Sequence, residues 1–262
     1  MIPVRVRDRV DLGQFFLEDP KILGKIVDLA AIQPDEVVLE IGAGDGRMTK
    51  LLAQKAKKVI AIEIDKKFTP LLKKLPKNVE VVIGDALEYL SSNPKIKLNK
   101  ILGNLPSTLV EPIFPKLIKL DFKLAIFLVP EKFAYKLADH PVLSAYFGIK
   151  LIEEVSRKSF SPVPRTSWEI IAIEKIPDPL KSGRVDLFLT RFVYEHPNAK
   201  LKNSLMEGII KFYAAKGKKL TKNKARTIIA KAKIGKNILE NLPADSSSYS
   251  DLIKKLAKSV FI

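Results

Sequence analysis

The residues with most to offer chemistry stand in one short run. Glu40-Ile41-Gly42-Ala43-Gly44-Asp45-Gly46 sets three glycines at alternate positions among two carboxylates. Glycine takes backbone angles that a side chain forbids, and it lets the main chain approach a ligand closely. Bare amides at such a loop suit a pyrophosphate, but Glu40 and Asp45 would repel one. Acid beside the loop suits a ligand carrying positive charge, such as the ammonium or sulfonium of S-adenosylmethionine (SAM). A nicotinamide dehydrogenase is disfavoured on the same ground, because Asp45 sits where a helix start should face pyrophosphate. Further on, single polar residues close short apolar runs: Glu63, Asp85 and Asn104. A carboxylate about twenty residues beyond a glycine loop is placed to bind ribose hydroxyls. Asp85 could accept from an adenine amino group.

These residues need elements to hold them. Val37–Ile41 is a β-prone apolar run, and the helical pattern Arg47–Lys55 follows the glycines at once, the context a nucleotide-binding loop requires. Further strands are expected over residues 58–64, Val79–Ile83, 100–102, 124–129, 147–157 and 168–174. Helices are expected from Asp19-Pro20, where proline suits a first turn, and over 67–74, 111–119 and 133–138. Ser91-Ser92-Asn93-Pro94 reads as a polar connection. Alternating strands and helices predict an α/β fold with an open sheet. Ligands bind such sheets beyond the carboxyl ends of the strands, so residues 40–46, Glu63, Asp85 and Asn104 converge on one rim. Pro177-Asp178-Pro179 and Lys181-Ser182-Gly183 mark a boundary. Beyond it the chain reads as helices, over 185–194, 201–216, Lys222–Lys231 and 250–258.

The 262 residues carry 46 Lys and Arg against 29 Asp and Glu, a net charge of +17. Such an excess attracts polyanions, above all nucleic acid, and residues 200–236 are lysine-dense. No apolar run approaches the roughly 20 residues a spanning helix needs. Met1-Ile2-Pro3-Val4-Arg5 lacks a signal-peptide core. A cytoplasmic protein with no membrane association is expected. Cysteine is absent, which removes disulfides and thiolate metal sites. His140 and His196, each beside a proline, are read as surface or loop residues, not as zinc ligands or members of a triad.

Gly13-Gln14 with Phe16-Leu17, Glu40-Ile41-Gly42-Ala43-Gly44, Glu63, Gly84-Asp85-Ala86, Gly103-Asn104-Leu105-Pro106 and Phe160-Ser161-Pro162-Val163-Pro164 occur in this order. Over about residues 8–175 the sequence thereby resembles the ribosomal RNA adenine dimethyltransferases. The resemblance implies a Rossmann-like class I SAM-dependent methyltransferase domain over 1–178 and a smaller α-helical C-terminal domain over 179–262 that contacts RNA. It implies SAM as cofactor and the ribosomal RNA of the small subunit as partner, with the protein a monomer. Gly42 and Gly44 would let the backbone approach the methionine portion, with Glu40 nearby. Glu63 would bind the ribose, Asp85 the adenine amine, and Gln14 and Leu17 would close over the cofactor. Asn104 would border the cofactor and, with the Leu105 carbonyl oriented by Pro106, accept hydrogen bonds from the target amine. Phe160 would stack on the target base.

The sequence departs from the family around that base. Ser107 stands where the family has tyrosine, and Phe15 where it has a polar residue. Pro130 and Lys132 replace a glutamine and a glutamate, and Arg165-Thr166-Ser167-Trp168 replaces lysine–valine–aspartate–serine. Loss of the aromatic at 107 removes half of a stacking sandwich, although Phe15 could supply a replacement ring. A kept cofactor site beside an altered base site reads as a paralogue with a changed target. Dimethylation of cytosine N4 is therefore placed slightly ahead of adenine N6. Two other readings compete. A DNA amino-methyltransferase would need a target-recognition domain, of which nothing is visible. A non-catalytic RNA-binding assembly factor would not need Asn104 and Glu63, which are intact.

Overall fold

The computed structural model describes residues 14–234, 239 and 249–260. The basic residues 1–10, Gly13 and Lys236 lie outside them. Two short strands, β1 (Phe16–Leu17) and β8 (Phe160–Ser161), pair antiparallel. The other strands are β2 (Val37–Ile41), β3 (Lys58–Glu63), β4 (Val79–Ile83), β5 (Lys100–Asn104), β6 (Leu124–Pro130), β7 (Phe147–Val155) and β9 (Trp168–Lys175). They form one sheet in the order β4-β3-β2-β5-β6-β9-β7. Pairing is parallel from β4 to β6, and β9 runs antiparallel to β6. The central strands are near-continuous runs of Val, Ile and Leu, as burial on both faces demands. Val38, Leu39, Ile101, Leu102, Phe127 and Leu128 are all fully buried.

Helices α1 (Pro20–Leu29), α2 (Arg47–Lys55), α3 (Thr69–Leu72), α4 (Ala86–Ser92), α5 (Ser107–Lys119) and α6 (Glu131–Ala138) accompany the strands. Asp19 caps α1 by accepting from the Lys21 amide, with Pro20 in the first turn. Ile26 and Val27 of α1 and Met48 and Leu52 of α2 join Val38, Val59 and Ile126 in one apolar cluster. Two of the differences from expectation flank the strand ends. The stretch at Ser91-Ser92 closes α4, because Asp85 caps a helix that buries only Ala86 and Leu90, too few apolar positions to show a period. And α5 begins at Ser107, not 111, with Pro112 and Pro115 inside it. The missed first turn, Ser107-Thr108-Leu109-Val110, carries β-branched residues and a serine, types that give no helical signal of their own.

Strand order reverses between β2 and β5, the place where open α/β sheets bind ligands. Gly103 makes the closeness of these strands possible. A Cβ there would lie 2.7 Å from the Ile41 carbonyl oxygen.

The chain divides into two compact units. One holds the described residues up to Ala138 together with Gly148–Lys175; the other holds Asp139–Phe147 and the described residues from Ile176 onward. The second is helical: α7 (Leu143–Tyr146), α8 (Pro179–Ser182), α9 (Val185–Glu195), α10 (Leu201–Ala215), α11 (Lys222–Lys231) and α12 (Tyr249–Ala257). Gly208 of α10 lets it press on α9, since a Cβ there would lie 2.9 Å from Leu189. Arg191 ties residues 139–147 to α9. It donates to the carbonyls of Ala145 and Ile176 and lies 5.0 Å over the Tyr146 ring. The histidines serve locally: His140 Nδ1 accepts from the Val142 and Leu143 amides, and His196 stacks on Phe192. No described helix is long and apolar enough to cross a membrane.

Candidate active site

A cavity of about 340 Å³ opens at the carboxyl ends of β2 to β5, in the size range of small-molecule sites. Gln14, Gly42, Gly44, Glu63, Asp85, Asn104 and Pro106 line it. The four strand ends therefore do share one rim. The glycine loop earns its composition: Gly42, Gly44 and Gly46 hold φ of +78°, +55° and +80°, a region other residues avoid.

Glu63 is locked in place. Its two carboxylate oxygens accept separately, Oε2 from the Gly44 amide at 2.7 Å and Oε1 from the Asp65 amide at 2.8 Å. A carboxylate has about four acceptor positions, so both oxygens can still receive a diol. Burial raises its pKa, and the two amides oppose that rise. Asp85 has a structural task as well: Oδ1 accepts from the Leu87 and Glu88 amides as the cap of α4. The cap holds the side chain on the cavity wall.

The acids of the loop are not the bare charges that their types suggest. Asp45 is paired with Arg47, whose Nη2 lies 2.6 Å away, while Nη1 donates to the Leu17 carbonyl. That pair fastens β1 to the loop. Arg47 went unnoticed as a site residue, although its place two positions after Asp45 is a usable sign. Glu40 is fully buried, and neither of its oxygens has a hydrogen-bond partner. Burial pushes its pKa up to about 8; the nearby Thr49 hydroxyl opposes the rise, and Glu63 and Asp45 add to it. Thr49 offsets without satisfying, since its own hydroxyl is also without a hydrogen-bonding partner. Glu40 and Leu17 do not line the main cavity. They border a void of about 40 Å³ that shares Gly42, Gly44 and Asn104 with it.

Asn104 ends β5. Its Nδ2 donates to the Phe15 carbonyl at 2.7 Å, and its Oδ1 is buried without a partner. An orphaned buried acceptor is costly, and here it belongs to a cavity-lining residue. Leu105 is buried and its amide donates to Leu128. Phe160 is not brought to the cavity. It is 2% exposed and packs on Trp168, with ring centres 5.0 Å apart. The rings that do line the cavity are Phe15, Phe16 and Trp168. Trp168 carried no sign in the sequence beyond being a departure at the start of a strand. The arrangement can hold a nucleoside diol at Glu63 and offers an unpaired acceptor to an amine at Asn104.

The model of the family described as "Ribosomal RNA adenine dimethylase" matches residues 5–243. The chain is 32% identical over 212 residues to a probable ribosomal RNA small subunit methyltransferase A of Methanococcus aeolicus, covering 74% of this chain and 77% of that one. It is 34% identical over 203 residues to the Thermococcus sibiricus protein of the same description, covering 71% of each. Its fold resembles that of the 23S rRNA methyltransferase ErmE, with a TM-score of 0.61 at 22% identity over 94% of this chain and 99% of that one. A dimethyladenosine transferase from Plasmodium falciparum gives a TM-score of 0.61 at 23% identity, over 92% of this chain and 95% of that one.

Proposed function

We propose, from the premise that this chain belongs to the ribosomal RNA adenine dimethylase family, that it dimethylates the exocyclic N6 of adenine in small-subunit ribosomal RNA. SAM is its cofactor and supplies a methyl group on a sulfonium. The residues present fit that cofactor: glycines with positive φ at the β2 turn, a diol acceptor fixed at Glu63, and Asp85 on the same wall. The placing of cytosine N4 ahead of adenine, drawn from Ser107 and Phe15, has no support in the family or its relatives. Those substitutions are better read as changes in how the base is held.

One observation carries the reading: the unpaired Oδ1 of Asn104. An exocyclic amine shares its lone pair with the ring and is a weak nucleophile. Oδ1 can accept one N–H and draw the nitrogen toward a tetrahedral shape, which frees the lone pair. The Leu105 carbonyl, at the corner before Pro106, is the natural second acceptor. No strong base is required, because the proton can leave after transfer. Much of the acceleration then comes from holding two reactants in line. The target must leave its stack to reach the cavity, and the chain's positive charge favours the RNA that carries it.

Asn104→Ala tests this. Calorimetry should find SAM binding retained, while methylation of small subunits falls about 10²- to 10³-fold, the usual cost of losing a donor or acceptor matched to the transition state. A folded, SAM-loaded Asn104→Ala protein working at the normal rate would overturn the reading. Nucleoside analysis of the product distinguishes dimethyladenosine from dimethylcytidine.

A further inference from the structure

We infer that Phe15 receives the target base, its ring serving as the stacking wall while its carbonyl aims the Asn104 acceptor. The inference rests on the methyltransferase reading above and names a base-binding residue for that same site. The hydrogen bond comes first. Asn104 meets a carbonyl oxygen, so the group 2.7 Å from it must be the amide nitrogen. That contact decides which end of the amide faces which way, and it leaves Oδ1 as the buried group without a partner. Phe15 thus determines that an acceptor, not a donor, is offered to the amine.

The ring is the second part. Phe15 lines the cavity beside Asn104 and Pro106 and keeps part of its surface exposed. Trp168 meets it edge-on, with centroids 6.0 Å apart and planes at 68°. Phe160 then backs Trp168. Trp168 and Phe160 are each 2% exposed. Phe15 is therefore the outermost ring of a braced series of three, and the one with surface to give. Ser107 is exposed and carries no ring. Phe15 and Asn104 line one cavity, so a base held through its amine by Asn104 has the Phe15 ring as a wall of the same space. Because the aiming is done by the backbone, a change of side chain at 15 removes the wall and keeps the acceptor in position.

Full-length protein, SAM and unmethylated small ribosomal subunits test the inference. Phe15→Leu and Phe15→Ala should lower kcat/KM for subunits about ten- to a hundredfold, in line with base–aromatic stacking. SAM affinity by calorimetry should stay unchanged, and Phe15→Tyr should restore most of the loss. Trp168 is the only tryptophan in the chain, so its emission reports on the ring it touches. Saturation of wild-type protein holding S-adenosylhomocysteine with a protein-free small-subunit RNA transcript should change that emission. The change should vanish in Phe15→Leu. Wild-type efficiency in Phe15→Leu, or unaltered Trp168 emission at saturating RNA, overturns the inference. If Asn104→Ala is inactive while Phe15→Leu is normal, the inference alone fails. A wild-type protein that methylates no RNA removes both it and the functional reading.

Discussion

Glu40 keeps a carboxyl group fully buried and without a hydrogen-bond partner, and this has a measurable cost. With a folded pKa of about 8 against an ordinary 4.5, the native chain holds a proton that the unfolded chain has released. Stability therefore falls as pH rises from about 4.5 through about 8. At roughly 1.4 kcal/mol per unit the loss is a few kcal/mol. Glu40→Gln keeps the shape and cannot ionise. Its melting temperature should match wild type near pH 5 and exceed it at pH 9; superimposable curves would refute the assignment. A sequence states that position 40 is acidic but not that it is neutral. The same limit applied at Asp45. Its neighbour Arg47 is turned back onto it by Gly46, with φ +80°, a conformation that spacing alone does not reveal. Glu63 and Asn104 were legible because each ends a strand whose pattern is plain.

At the level of elements, β2 and β5 carry the site, and Gly103 is where their separation is decided. Gly103→Ala would put a methyl group 2.7 Å from the Ile41 carbonyl and 3.0 Å from Leu105. Neither the backbone oxygen nor the buried leucine can yield cheaply, and about 2 kcal/mol of destabilisation is expected, read from urea denaturation. Turnover should fall further than stability alone explains, because the displaced strand end bears Asn104. Gly24→Ala, in the middle of α1 with nothing within 4 Å, is the control. It should stabilise by up to about 1 kcal/mol through helix propensity. The parallel strands were readable from runs of branched apolar residues. Helix α4 was not, since its Asp85 cap was read only as a ligand for the cofactor. The burial of Phe160 was hidden too. It depends on β8 pairing with β1, a contact between residues far apart in sequence, and on Trp168 reaching back across the loop that precedes its strand.

For the whole molecule, charge is the property most visible in composition, and its distribution sharpens what it implies. Residues 208–239 contain no Asp or Glu. Lys218, Lys219, Lys222, Lys224 and Arg226 are exposed there, from the end of α10 into α11. Solvated lysines on a soluble helix are ordinarily interspersed with acids. Thirty-two consecutive residues without one leave these exposed cations with no acid in their own segment to offset them. The physical consequence is counterion release. Each phosphate that such a lysine neutralises contributes about 0.7 to 0.9 to the slope of log affinity against log salt. If this stretch tracks the RNA backbone, Lys218→Gln, Lys219→Gln and Lys222→Gln together should flatten that slope by about 2 to 3 units for small-subunit RNA. SAM affinity should be unaffected, because Gly42, Gly44, Glu63 and Asp85 belong to the other compact unit. Binding isotherms across a salt series decide the matter. An unchanged slope would mean that these lysines stand clear of the phosphates, and that the RNA is held by charge elsewhere on the chain.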